Sequence, residues 1–307
     1  MIQYTIGEII KRERKAQKIS QEKLAEGICT PSWLSKIETG TCIPTIATFE
    51  LLMQRLGKNA SQYIHCKSDA EIEIDYFKIE IRYFFSRKQF AQAEEYFKKL
   101  KQLARQDDKL DQQFIMLYEA LFDKHYGKID YENFLTRLNK SISYSVQDFK
   151  INNINSYLLN QEDIVIINNM AITFKEMGKD NEAINTLLAL KNYLENQKYD
   201  YQQKRRTYPV VLYNLSKWQG LAGNLAECLV TCDKGIEFCI QFNVLSTLPH
   251  LLFNKGCALI ELESSKLAEE YMKQAYYILV VMKEDTLAQI IIDYGIEKLG
   301  KNVIEIN

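Results

Sequence analysis

Two sets of polar side chains recur at spacings that could do chemistry, and in both the chemistry is recognition by hydrogen bonding. The first lies in residues 31–39, where Leu34 and Ile37 set an inward face and leave Ser32, Trp33, Ser35 and Lys36 pointing outward at helical spacing. A lysine ammonium donates to acceptors, a hydroxyl both donates and accepts, and an indole packs on flat or methylated surfaces. The second set is Asn169, Asn214 and Asn254, which recur at matching places in three similar segments. An amide offers donors and an acceptor together, so a row of them can grip an extended backbone whatever its sequence.

Catalysis finds no comparable footing. His65, His125 and His250 are scattered without metal-ligand spacing, no Gly-rich phosphate loop occurs, and no Ser/His/Asp or Cys/His constellation can be assembled. The seven cysteines are an odd number without C-x-x-C spacing or paired His, which argues against disulfides and structural zinc. Cys228, Cys232 and Cys239 fall at helical spacings and read as small buried apolar groups, with a thiol sensor as the alternative. No enzyme activity, metal or cofactor is expected.

The elements that must position the outward residues are short helices. Ser20 is an N-cap and Gly27 a helix end, while Thr30 followed by Pro31 restarts the chain as an N-cap and first helical residue. Ile6, Ile9 and Ile10, with Arg12, Arg14 and Lys15, predict an amphipathic helix before this pair. Phe49, Leu51, Leu52 and Leu56 predict another after it, closed by Gly57. From about Asp69 onward no convincing strand appears, and pairs of amphipathic helices follow one another.

Composition supports this reading. The chain has 307 residues, 47% hydrophobic and 26% charged, with only 4 Pro and 12 Gly, which suits two all-helical domains. Formal net charge is −1, but residues 1–66 hold nine Lys/Arg against six Asp/Glu. The remainder therefore carries the acidic excess, and any polyanion-binding footprint is local to the first domain. An excess of three is modest, so tight binding calls for a dimer that doubles the contacts. The start lacks a signal peptide and no apolar run is long enough to span a membrane, so a cytoplasmic protein is expected.

Residues 21–44 resemble the helix-turn-helix of Xre/Cro-like repressors. The likeness covers residues 4–64 and rests on Gln21, Leu24, Ala25, Leu34, Ile37, Glu38, Gly40, Pro44 and Leu56. One departure is that the stretch between Gln21 and Glu38 is a residue shorter than the family's pattern, which tightens the turn and lets base contacts shift by one position. The resemblance implies double-stranded DNA as partner. Gln21, its neighbouring amides and basic residues such as Arg12 would hold phosphates, and Ser32, Trp33 and Lys36 would reach major-groove edges, with Ser35 and Thr39 in the same interface. Glu38 would serve an internal hydrogen bond or ion pair.

The segments 168–183, 213–228 and 253–268 resemble tetratricopeptide repeats. In each a small residue (Ala171, Ser216, Gly256) is followed twelve positions later by another (Ala183, Cys228, Ala268), which lets two antiparallel helices cross closely. Ile81 with Ala93, and a degenerate segment around Ala120, extend the series at spacings of 39, 51, 45 and 40 residues. The expected fold is all-α: a helix-turn-helix domain over residues 1–66, then about five repeats and a C-terminal helix over 69–307, wound into a right-handed superhelix. Its concave face would carry Asn169, Asn214 and Asn254 with Asn168, Tyr213, Lys217, His250 and Phe253. Arg82 on the first repeat could take a carboxylate. The cluster Lys204, Arg205 and Arg206 reads first as a solvated face.

Together the two likenesses resemble the RNPP-type, or Rgg-like, regulators. That resemblance implies a homodimeric quorum-sensing transcription regulator, bound to an inverted-repeat operator and controlled by a short signalling peptide in the concave groove. The alternative is a constitutive repressor whose repeats only dimerise or dock proteins.

Overall fold

The computed structural model describes residues 6–58, 69–196 and 201–304, all of it helix, turn and connection without strand among those residues. The expected domain boundary at residue 66, with His65 and Cys66, lies outside them. The described chain forms two compact units, residues 1–104 and 105–307.

The first unit opens with four short helices: α1 (Ile6–Ala16), α2 (Gln21–Ala25), α3 (Pro31–Glu38) and α4 (Ile46–Arg55). Local chemistry sets their ends. The Ser20 hydroxyl accepts from the Lys23 amide and the Thr30 hydroxyl from the Trp33 amide, with Pro31 at the first position of α3. Gly27 takes the left-handed conformation, φ +72°, that turns the chain between the two motif helices. Ile9, Ile10, Leu24, Leu34, Ile37, Phe49, Leu52 and Leu56 close into one core. Leu51, expected among them, is half exposed, because it sits on the outer side of α4.

Gly7 marks a close backbone approach in this head. A Cβ there would lie 1.8 Å from the Ile37 carbonyl oxygen, so the α1 backbone runs against the end of α3 with no room for a side chain. That contact fixes the angle at which α3 is presented. After the head, α5 (Asp69–Ser86) and α6 (Phe90–Leu103) pack as an antiparallel hairpin around Ile74, Phe77, Ile81, Ala93, Phe97 and Leu100.

The second unit continues with hairpins α7 (Lys109–His125) with α8 (Tyr131–Ile142), α9 (Gln161–Glu176) with α10 (Asp180–Asn196), α11 (Tyr201–Leu221) with α12 (Leu225–Gln241) and α13 (Leu248–Glu261) with α14 (Ser265–Val281), then α15 (Asp285–Leu299). Each second helix also packs on the next first helix. The small residues lie where expected: Ala171, Ala183, Ser216, Cys228 and Ala268 are all buried. A Cβ on Gly256 would come within 2.9 Å of Met272 and 3.2 Å of the Ala268 carbonyl, which is the close helix crossing that the spacing predicts.

The irregular 51-residue step has a physical cause. Between α8 and α9 runs a connection with a 3-10 segment, Ile151–Ser156, that packs against α10. Its ends are tied by a buried polar network. The Gln113 amide donates to Asp163 at 2.6 Å and to Ser145 at 2.9 Å, the Asn160 side-chain amide donates to Gln113 at 3.0 Å, and Asn160 and Asp163 cap α9 reciprocally. Burial pushes the Asp163 carboxyl above its ordinary range, and the bonds from Ser145, the Asn160 amide and Gln113 oppose it.

Candidate nucleic-acid interface and first-helix face

The end of α3 is anchored from below by one buried ion pair. Arg14 on α1 grips Glu38 with two bonds of 2.6 Å, and its remaining arm donates to the Ile19 carbonyl at 2.8 Å. Glu38 is 2% exposed. Burial alone would raise its carboxyl, but the bonds from Arg14 and Gln21 outweigh this and hold it below the ordinary carboxylate range. Glu38 thus has the internal role its position implies. Arg14, grouped by sequence with the basic flank of α1, is instead spent inside the head.

The same carboxylate takes part of Gln21, whose amide donates to Glu38 at 2.8 Å. Gln21 remains half buried at the start of α2, with its anion-holding role shared with a structural one. On α3 the structure brings Ser32, Lys36 and Thr39 to one exposed side, one turn apart, with Ser35 half buried beside them. The Thr39 hydroxyl donates back to the Ser35 carbonyl at 2.9 Å and so closes the helix end. Trp33 is half buried and packs in part against the head's own core. Arg12 is exposed on α1 and bonds its neighbour Glu13 at 2.9 Å.

In the second unit, the three recurrent asparagines do not project as an open ladder. Asn214 on α11 donates to the Asn168 side chain on α9 at 3.1 Å. Asn254 on α13 donates to the Tyr213 carbonyl at 3.1 Å and the Ser216 hydroxyl at 2.9 Å, both on α11. Asn169 donates within its own helix to the Val165 carbonyl at 2.9 Å. Their register is as expected, but Asn214 and Asn254 turn toward the preceding repeat, because packed first helices leave carbonyls and hydroxyls within reach there.

Of the other residues expected on that face, Tyr213, Lys217 and His250 lie close together. The Tyr213 and His250 rings lie 5.1 Å apart, and Lys217 is exposed nearby. Burial lowers the His250 imidazole below its ordinary value; Glu284 opposes this and Lys217 adds to it. Phe253 packs edge-on against Tyr294 of α15 at 5.4 Å, and Tyr294 also bonds Cys257. Tyr294 and Glu284 escaped sequence reasoning, since α15 carries no repeat signature. Arg82 belongs to the first unit, half buried on α5. Arg205, from the basic cluster, donates to the Asn243 carbonyl at 3.3 Å. Among the described residues no group of His, Cys, Asp and Glu could hold a metal ion, and no helix is long and apolar enough to cross a membrane.

A head that presents one polar helix side over a buried ion pair, followed by stacked helical hairpins, is the architecture of a helix-turn-helix regulator with a helical-repeat domain. Comparison with known families agrees: residues 10–62 match the helix-turn-helix model and residues 62–297 the RNPP family C-terminal domain. The chain belongs to the RNPP family. It is similar in fold to PlcR of Bacillus thuringiensis in complex with the peptide PapR7 and DNA, at 20% identity and a TM-score of 0.74, over 94% of this chain and 98% of that one. It is likewise similar to ComR of S. thermophilus in complex with DNA and its signalling peptide, at 16% identity and a TM-score of 0.63, over 94% and 97%. The Streptococcus dysgalactiae pheromone receptor Rgg2 follows at 13% and 0.57, over 94% and 98%. No curated protein sequence matches the chain.

Proposed function

We propose that the protein is a cytoplasmic, homodimeric transcription regulator that reads an inverted-repeat operator through α3 and is set by a short signalling peptide held on the first-helix face of its repeats. The observation that carries this reading is the placing of Tyr213, Lys217, His250 and Phe253 on successive first helices, a mixture of aromatic rings and a cation in a chain of the RNPP family. Ser32, Lys36 and Thr39 meet base edges or the adjoining backbone, with Ser35 and Trp33 at their margin, while Arg12 and Gln21 hold phosphates. Asn168, Asn214 and Asn254 respond to the peptide by exchanging their inter-repeat hydrogen bonds, and Asn169 its intrahelical one, for hydrogen bonds to the peptide. A peptide that prefers one arrangement of the repeats by about 1–3 kcal/mol shifts the population of DNA-competent dimers.

The second reading, a constitutive repressor whose repeats only scaffold, draws support from the bonds of Asn214 and Asn254 between repeats. Calorimetric titration of the full chain with hydrophobic peptides of about five to ten residues separates the two. The expected result is saturable binding that Tyr213→Ala and Phe253→Ala redirect among peptides, together with a changed operator affinity. Peptide binding without any change at the operator would leave only the scaffold.

A further inference from the structure

The stacked hairpins of the second unit reveal which side of a first helix receives the preceding repeat. On α13, Leu251 packs so closely on α12 that a Cβ at Gly235 would fall 2.7 Å from it. Three residues on, Asn254 bonds α11, and four further on, Ala258 joins Cys228 and Cys232 of α12 in one buried cluster. The corresponding residues on α11 are Val211, Asn214 and Trp218, of which Val211 and Trp218 are buried and Asn214 bonds α9. These positions stand five before, two before and two after the small residue of each repeat.

On α5, counted from Ile81, the same positions are Tyr76, Ile79 and Tyr83, and among the described residues no repeat precedes them. They are 48%, 58% and 48% exposed, and Ile72, one turn earlier, is 56% exposed. The first hairpin therefore shows an open stacking edge, where solenoid arrays require a polar cap. The spacing 72, 76, 79, 83 alternates four and three residues, which is the seam of a two-helix pair. The rings are already part ordered: Tyr76 sits edge-on to Tyr96 at 6.0 Å, and the Arg87 guanidinium lies 4.9 Å over Tyr83.

We propose that this edge is covered by the same edge of a second copy of the chain, the two α5 helices lying antiparallel about a two-fold axis. Antiparallel pairing sets Ile72 against Tyr83 and Tyr76 against Ile79 of the other copy, each contact occurring twice. It also brings Asp75 of each copy toward Arg82 of the other along one flank, whereas parallel pairing brings Asp75 toward Glu80 and repels. The apolar stripe is about 16 Å long at 1.5 Å per residue, short for a stable dimer alone, so it adds to other contacts between copies. This rests on the homodimer of the proposed function and assigns part of its interface.

Sedimentation equilibrium of the full chain and its Ile79→Glu variant tests it. Each copy's charge at the centre of the seam is expected to weaken self-association roughly tenfold or more, whereas Ile79→Leu leaves it within about twofold. Asp75→Arg alone is expected to weaken the pair and Asp75→Arg with Arg82→Asp to restore it. Circular dichroism of each variant serves as the folding control, and Ile79 is exposed enough for the hairpin to fold without it. A wild type that is dimeric and an Ile79→Glu variant equally dimeric would overturn the α5 contact and leave the homodimer standing. A wild type monomeric at all concentrations, with or without DNA, would overturn the homodimer and this contact with it. An Ile79→Glu variant that loses only peptide affinity would assign the stripe to the peptide and overturn the proposal.

Discussion

The head and the repeat unit use polar residues in opposite ways. In the head the duties are divided by side: Arg14, Glu38 and part of Gln21 hold the interior, while Ser32 and Lys36 face outward with no burial to satisfy. In the repeat unit the same side chains carry both duties, since Asn214 and Asn254 join one repeat to the next and also stand on the face proposed to meet a peptide. A division by side lets the contact surface change without loss of fold. Shared duties couple ligand response to the stability of the stack, which is what a switch requires.

The largest expected effect that sharpens this contrast is Arg14→Ala. It leaves the Glu38 carboxylate buried and unpaired, at a cost of about 3–5 kcal/mol to the head. Thermal melting followed by circular dichroism should then show an early transition for the head and an unchanged one for the repeats. A single unshifted transition would mean that the pair is replaceable by water.

Asn254→Ala probes the other side. It strips the Ser216 hydroxyl and the Tyr213 carbonyl of a partner, and should cost about 1–3 kcal/mol of repeat-unit stability in urea unfolding while also altering peptide affinity. Should affinity change at constant stability, the two duties would be separable after all. The matching head variant, Lys36→Ala, should cost about 1–3 kcal/mol at the operator, relax specificity at one base pair and leave the melting curve in place. Equal loss on random DNA would make Lys36 a phosphate contact.

The smallest effect concerns pH. His250 is held neutral in the fold by burial, with its ordinary value near 6.5. The unfolded chain therefore takes up the proton first as pH falls, and repeat-unit stability should decline from about pH 6.5 downward until the folded imidazole also protonates. In His250→Gln this part of the decline should vanish. An identical pH profile in the variant would mean that His250 is not the group responsible.

Much of the head was legible because its signals are local. Ser20, Thr30 and Pro31 mark helix starts within three residues of the amides they serve, and Leu34 and Ile37 reveal a face by spacing alone. What stayed hidden was pairing at a distance: Glu38 announced an internal partner, but nothing in the chain singled out Arg14, 24 positions earlier, from its exposed neighbours. In the repeats the small residues disclosed every close crossing they were asked to, because only volume matters there. The asparagines disclosed register but not direction, since one amide suits a helix carbonyl as well as a peptide carbonyl. The connection before α9 has no periodicity, and its organising network of Gln113, Ser145, Asn160 and Asp163 draws on residues up to 50 positions apart.

That network also bears on how the stack holds together. Stacked hairpins ordinarily nucleate anywhere and grow by one neighbour at a time. Here the Asp163 carboxylate is satisfied only when Gln113 of α7, Ser145 after α8 and Asn160 ahead of α9 are all in place. No single hairpin supplies all of these groups, so the network ties two successive hairpins and their connection into one cooperative block, where hairpins joined by apolar contacts alone would be coupled more weakly.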